Sequence, residues 1–512
     1  MSIKKIIAIA LIAIVCVGFL FACDNEQPGD MPSDQIPTYE ENGNEEDESG
    51  EMIGDHGFPI DPITGRVLPN VPDRDLDGYE FVILAHCTTF NIHWFSRDIS
   101  AEELLGEPIN DAVYHRNRAV EERFNITIRA DYSNTPQADA RTSINAGDRA
   151  HDVLTFNIMQ TAVLAQEGML LDLTRHVPYL NLEKPWWDQR ANEHLSIANR
   201  LFFTVGDLLV IDNDSLLVFF VNNDVIQEYG MDNPYQMVRD GTWTVDRMWE
   251  MATSFSHDLD GSGQMGGHDA WGLLSFYGTF YGNVMSTGHF VANKDQNDIP
   301  TLNLLNPRIV ASFDRWIEIM MDRNHTMYAG DFQHQHQPGL NIWDNQIMML
   351  SQGRGLFMFS HMNRATLMRP LDFNFGILPN PKLDETQTEY FNYVHKNTSK
   401  GISIPVTADA EISGLVLEAL AAESRYTLRP AYFEISLTYQ MLRDRDSVEM
   451  MELIFETRAF DLAHLYNWGG VFSMVNGLAN RRESNLISSY EAISDIAEAA
   501  MNNTIEIFLA MD

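Results

Sequence analysis

The sequence predicts an α/β fold, and three observations between Tyr79 and Asn157 carry that reading. Tyr79 to Leu84 in "DLDGYEFVILAH" is a short apolar run bounded by Asp-Gly, which is the pattern of a buried strand. In "EPINDAVYHRNRAVEERFNITIRAD", Ile109, Val113, Val120 and Phe124 recur at helical spacing, and Ile126 to Ala130 then alternates as a second strand. A further helix over about Pro136 to Ala146 leads into "HDVLTFN", another apolar strand. Strand, helix, strand, helix, strand is the order of a parallel sheet. Open parallel sheets bind ligands beyond the carboxyl ends of their strands. That rule points to "HCTTFNIHW" after the first strand and to Asn157 after the third.

The later chain continues the mixture without a fixed repeat. "WTVDRMWEMATSF" predicts a helix capped by Thr244, with Asp246 in its first turn and Met248, Ala252 and Phe255 as the buried stripe. "NPRIVASFDRWIEIMMDRN" and "ISGLVLEALAAESR" are amphipathic helices, whereas "AWGLLSF", "GRGLFMFS" and "FNFGILPNP" have the pattern of strands.

At the start of the chain, Lys4 and Lys5 precede an uncharged run from Ile6 to Ala22, the grammar of a secretory signal over residues 1–22. The run ends in Leu20-Phe21-Ala22-Cys23, which resembles the lipobox of bacterial lipoproteins, so Cys23 is expected to carry the acyl chains (palmitate among them) and to begin the mature protein. From Asp24 to Asp55 there are Asp and Glu residues but no Lys or Arg, among Gly, Pro, Ser and Asn. Such a segment buries too little apolar surface to fold, so residues 23–72 are expected to be a disordered acidic tether.

Lys+Arg 34 against Asp+Glu 73 gives a net charge of -39, which argues against nucleic acid or polyanionic ligands as partners and leaves neutral or cationic solutes open. A hydrophobic content of 45% with nine Trp predicts a well-packed body. Of three cysteines, Cys16 lies in the signal and Cys23 at the lipobox, leaving Cys87 as a small residue beside the first strand with no disulfide framework.

"DAVYHRNRAVEERFNITI", "DVLTFN" with "AQEGMLLDLT", "NPYQMVRDGTWTVDRMWEMA", "GRGLFMFS" and "FGILPNPKLDE" together resemble the extracellular solute-binding proteins of bacterial ABC importers, the carbohydrate type that includes maltose-binding proteins. The resemblance runs from about Tyr79 to the C-terminus. It implies two α/β lobes joined by a hinge of crossing strands, a solute held in the cleft between them, and a monomer that delivers its solute to permease subunits. By analogy, residues 73–185 and about 344–395 would form the first lobe, and about 186–343 and 396–512 the second. The lipid anchor would hold this receptor at the outer face of the cell membrane, with no other membrane contact.

"DLDGSGQMGGHD" has the spacing of a twelve-residue calcium loop: Asp258 at position one, Asp260 at three, Ser262 at five, Gly263 at the tight turn, Gln264 at seven and Asp269 at twelve. Asp replaces the longer Glu at position twelve, and a strand replaces the usual following helix. Some carbohydrate receptors of the resembled family have such a loop outside the sugar cleft. A structural Ca2+ and a metal-free Asp-Gly turn are therefore both open. Gly261, Gly263 and Gly266 match G-x-G-x-x-G but lack the preceding strand and following helix of a dinucleotide site. His334 and His336 offer no third metal ligand at standard spacing.

A saccharide needs aromatic faces beside polar hydrogen-bonding groups. The loop aromatics Trp94, Trp271, Tyr277 and Trp468 and the polar Asn157, His361 and Arg364 are the candidate ligand-binding residues, with core packing as the competing role for each Trp; Trp186 and Trp187 follow Pro185 near an expected lobe junction. No G-x-S-x-G, H-E-x-x-H, S-x-x-K or P-loop occurs. The expectation is a non-enzymatic receptor for a neutral saccharide or oligosaccharide. A surface glycan-cleaving enzyme and a receptor for cationic peptides are the alternatives.

Overall fold

The computed structural model describes residues 45–46, 52–53, 57–87, 95–433 and 445–511. Cys23 and Trp94 lie outside them. The chain divides into two compact units, residues 1–67 and 68–512. In the first, Glu45–Glu46 pairs antiparallel with Met52–Ile53, and Ile60 bridges Val67. The Asp61 carboxylate closes that bend by accepting the amides of Ile63 and Thr64. This part of the expected tether therefore has local backbone structure, held by hydrogen bonds that need no apolar core.

The second unit holds two sheets. Its first strand, β1 (Tyr79–His86), is followed by α1 (Pro108–Phe124), β2 (Ile126–Ser133), α2 (Pro136–Ala146), β3 (Val153–Asn157) and α3 (Ile158–Gln166), the order the sequence predicts. Glu107 caps α1 through the Asn110 amide, Pro108 sits in its first turn, and Asn125 ends it in the left-handed region at φ 50°. β1 lies between β2 and β3 and is parallel to both, with Tyr79 opposite Ile126 and Ile83 opposite Val153.

The chain then builds a second, five-stranded sheet from β4 (Leu217–Asn222), β5 (Trp271–Ser275), β6 (Thr326–Tyr328), β7 (Gly355–His361) and β8 (Phe375–Leu378), in the order β6-β5-β7-β4-β8. Helices α4 (Val245–Phe255), α5 (Pro307–Met321) and α6 (Ile342–Ser351) lie between its strands in sequence. Thr244 accepts the Arg247 amide at the start of α4, and Met248, Ala252 and Phe255 are buried, as their spacing predicts. Gly272 in β5 has no room for a side chain, because a Cβ would lie 2.1 Å from the Ala252 carbonyl oxygen of α4. Phe219, Trp243, Trp316, Phe357 and Phe359 form the aromatic centre of this core.

After β9 (Asn392–Tyr393) the chain returns to the first sheet as β10 (Lys400–Ser403), antiparallel to β3 with Lys400 opposite Asn157. Helix α7 (Ala410–Tyr426) then packs on α1. Beyond α8 (Arg445–Glu456), the short strand β11 (Arg458–Ala459) pairs with β9. Helices α9 (Val471–Arg481) and α10 (Ser494–Ala510) complete the chain, the former against the second-sheet lobe and the latter reaching α3 of the first.

These pairings correct the expected lobe boundaries. β7 and β8, expected in the first lobe within about 344–395, belong to the second sheet: Phe357 of β7 faces Leu273 on one side and Val221 on the other. A strand buried along nearly its whole length needs partners on both edges, and only β4 and β5 supply them. β10 and α7, expected in the second lobe within 396–512, belong to the first. So do Trp186 and Trp187, because Trp187 bridges Gly206 and Thr204 bridges Ile402. Two segments cross between the sheets side by side, with Leu216 bridging Val394 antiparallel and the His395 amide donating to the Ser215 carbonyl at 3.1 Å. They form the expected hinge of crossing strands.

Candidate solute-binding cleft

The carboxyl ends of β1, β3, β5 and β7 and the start of β10 meet at this crossing. Asn157, the last residue of β3, caps α3 by accepting the Met159 and Gln160 amides, and its own amide donates to the Lys396 carbonyl at 3.1 Å. One side chain thus ties the first sheet to the crossing segment. Opposite it, Lys400 brings its Nζ to 3.4 Å from His86 Nδ1 at the end of β1. Burial holds His86 at about 4, with the Lys400 charge adding to the effect, so this histidine is neutral at physiological pH.

From the second sheet, β5 ends into Phe276, Tyr277 and Gly278. Phe276 has its ring 4.4 Å from Tyr277 and stands edge-on to Trp343 at 4.4 Å. Trp343 sits in the first turn of α6, placed there because Asn341 accepts its amide at 2.9 Å. Arg364, just beyond β7, lies over the Trp343 ring at 5.9 Å. All three rings are partly exposed, unlike the aromatic centre of the core. His361 ends β7 edge-on to His395 of the crossing segment at 5.1 Å, and burial drives it well below its ordinary pKa, helped by His395 and Arg364. Lys396 donates to the His464 carbonyl at 2.6 Å and lies 4.2 Å over Phe472.

Among the described residues, four of the buried polar atoms without a hydrogen-bond partner lie at this seam: Asn363 Oδ1, Arg364 Nε, His395 Nδ1 and Ser399 Oγ. A buried polar group left unpaired costs about 1–3 kcal/mol. Polar groups of this kind beside partly exposed aromatic rings are the arrangement of a polar small-molecule site.

The sequence from residue 118 to 413 matches the family model described as bacterial extracellular solute-binding protein. That span is more than half the chain and takes in strands of both sheets. The chain belongs to this family. Among curated proteins no sequence matches it significantly. Solved structures share its fold at low identity. A sugar transporter from Rhizobium etli in an open conformation is 13% identical, with 84% of this chain and 99% of that one covered and a TM-score of 0.54. The maltose-binding periplasmic protein MalE from Listeria monocytogenes, in complex with maltose, is 12% identical over 83% and 98%, with a TM-score of 0.52. An ABC transporter solute-binding protein from Thermotoga lettingae with bound alpha-D-tagatose is 11% identical over 83% and 100%, with a TM-score of 0.51.

In this solute-binding protein the residues expected at the cleft separate into two groups. Asn157, Tyr277, His361 and Arg364 lie at the seam between the sheets. Trp271 and Trp468 do not. Trp271 opens β5 at the end away from Tyr277, is 1% exposed, and donates its indole N–H to the Gly266 carbonyl at 2.9 Å. Trp468 is 2% exposed, stacks on Tyr466 at 5.2 Å and donates to Thr504 Oγ1. Trp186 and Trp187 are equally buried, the latter donating to the Glu418 carboxylate at 2.9 Å. These four are core residues. Residues that the sequence reading did not single out, Phe276, Trp343, Lys396 and Lys400, take their place. The two lysines carried one signal: they flank the polar "KNTSK" between two apolar segments of a strongly acidic chain.

The loop from Asp258 to Asp269 is some distance along the fold from this seam, at the start of β5. One carboxylate oxygen each from Asp258, Asp260 and Asp269 falls within 4.8 Å of the others. Asp258 accepts the amides of Gly261 and Gly263, both at 2.7 Å, and Gly263 has φ 79° as a tight turn requires. Ser262 Oγ donates to the Gln264 carbonyl at 2.8 Å. Asp269 is fully buried and accepts the Leu259 and Gly266 amides. The donor set fits a calcium ion, all oxygen and rich in carboxylate.

Proposed function

We propose that this protein is the receptor subunit of an ABC importer, which captures a saccharide outside the cell membrane and hands it to permease subunits. The observation that carries this reading is the partly exposed aromatic ledge of Phe276, Tyr277 and Trp343 at the carboxyl end of β5 and the start of α6, with Arg364 over the Trp343 ring. Ring faces stack on the C–H patches of a sugar, and the amide, imidazole and ammonium groups meet its hydroxyls. The bound ligands of neighbours with this fold, maltose and alpha-D-tagatose, support the same class. Ligand contacts to both lobes exist only when the lobes are closed, so binding shifts the population toward closure. The cationic groups at the seam disfavour a cationic peptide. Cys23 carries the acyl anchor in this reading, and among the described residues no helix is long and apolar enough to cross a membrane. A calcium ion held by Asp258, Asp260 and Asp269 would stiffen the loop under Trp271 and take no part in capture.

A thermal-shift screen of the purified protein against saccharides, cationic peptides and Ca2+, with chromatography of each mixture, tests this. A saccharide at a hundred times its dissociation constant is expected to add about 2.7 kcal/mol and to be recovered intact. Stabilisation only by peptides, or cleavage of the saccharide, would overturn the assignment. Ca2+ is expected to raise the midpoint of the wild type but not of Asp258→Asn, and an equal rise in both would remove the ion from the loop.

A further inference from the structure

Lys400, Lys396 and Arg364 stand at the seam with 2%, 4% and 9% of their surface exposed. None of the three makes an ion pair among the described residues. Removing a charge from water costs several kcal/mol unless an opposite charge repays it. Of the nearby acids, Asp214 is paired with Arg97 at 3.2 Å, while Asp98 near Lys400 and Asp344 near Arg364 act on these cations without forming an ion pair with them; Asp98 accepts the Val210 amide at 2.7 Å and Asp344 accepts Asn341 Nδ2 at 2.7 Å. The imidazoles around these cations, His86, His361, His395 and His464, are all held below their ordinary pKa by burial and bring no negative charge. Among the described residues Arg364 Nε has no hydrogen-bond partner.

From this geometry we infer that the captured saccharide carries a carboxylate, as a uronic acid does, gripped between Lys400 of the first lobe and Arg364 of the second. The inference rests on the saccharide reading above and narrows it. A planar guanidinium with an unused N–H matches a carboxylate in the forked geometry that a neutral hydroxyl cannot reproduce. Placing one cation on each wall makes the acid group the element that couples binding to closure. The chain's charge of -39 does not oppose this at short range, since exposed charges are screened beyond about 8 Å at physiological salt. Burial also holds Lys400 and Lys396 at about 8, with Asp98 partly offsetting the effect on Lys400. A bound carboxylate would favour their charged forms, so its affinity falls as pH rises through that value.

Isothermal titration of the purified protein with uronate oligosaccharides (galacturonate, glucuronate and mannuronate types) and with their methyl esters separates the possibilities, because esterification removes the charge and keeps the sugar. At least one acid is expected to bind about tenfold or more tightly than its own ester. That advantage shrinks between pH 7 and pH 9 in the wild type, and Arg364→Gln or Lys400→Gln brings the acid down to the level of its ester. An ester or other neutral saccharide bound as tightly as the acid would overturn this inference and leave the saccharide receptor standing. Binding by neither class would overturn both. The wild-type comparison of acid with ester stands even where a variant fails to fold.

Discussion

Trp271→Ala is expected to lower the stability of the protein by about 3–5 kcal/mol, read as the midpoint of denaturant unfolding, while a sample that remains folded keeps its affinity for solute. The side chain is 1% exposed at the first position of β5, where the strand is paired with Gly355, and its ring lies 5.9 Å from that of Phe332. Truncation opens a cavity that strand pairing on this side keeps from collapsing. It also strands the Gly266 carbonyl, which accepts the indole N–H at 2.9 Å and anchors the acidic loop to the sheet. Tyr277→Ala should do the reverse, weakening saccharide binding with a small loss of stability, because that ring is partly exposed at the other end of the same strand. Loss of affinity without loss of stability in Trp271→Ala would return the indole to the cleft.

Arg458→Met is expected to cost a similar amount, about 3–5 kcal/mol, for an electrostatic reason. Arg458 Nε pairs with Asp188 at 2.6 Å, and its Nη1 lies 3.3 Å from the Asp212 carboxylate and 2.9 Å from Asn213 Oδ1. Both carboxylates are buried, and the arginine is mostly so. Because β11 pairs with the crossing strand β9, this cluster fastens the hinge to the first lobe. Burial raises Asp212 to about 8 although Arg458 pulls it down and Asp188 pushes it up. A carboxyl whose folded pKa lies above its unfolded value contributes stability that is complete below the unfolded value of 3.8 and is lost as pH rises toward 8. Removing the arginine raises Asp212 further, so the deficit of the variant is expected to be larger at pH 9 than at pH 6. A pH-independent deficit would mean that the loss is one of packing.

The first half of the first lobe was legible in the sequence because β1 and β3 are short apolar runs, β2 opens with a clear alternation, and α1 and α3 start at the side-chain caps Glu107 and Asn157. The strands in "GRGLFMFS" and "FGILPNP" were equally legible as strands, yet their sheet was not. Membership of a sheet is decided by partners more than a hundred residues away, such as Val221 opposite Phe357, and local patterning carries no record of them. The candidate site divides the same way. Asn157 is indicated by the rule that ligands gather at carboxyl ends, and Tyr277 and His361 by their residue type, an aromatic ring and a polar hydrogen-bonding group suited to a saccharide. Phe276 and Trp343 were passed over because an aromatic residue at a strand end or in a first helical turn has the same local sequence whether it faces a core or a cleft. Lys396 and Lys400 were hidden by the net charge, which sums over the whole surface and says nothing about the seam.

The most direct test of the receptor reading is small-angle scattering of the wild-type protein with and without a saccharide that stabilises it. Closure of two lobes about the strands at Leu216 and Val394 predicts a smaller radius of gyration in the bound sample. A bound saccharide that leaves the radius unchanged would contradict capture by closure across this hinge.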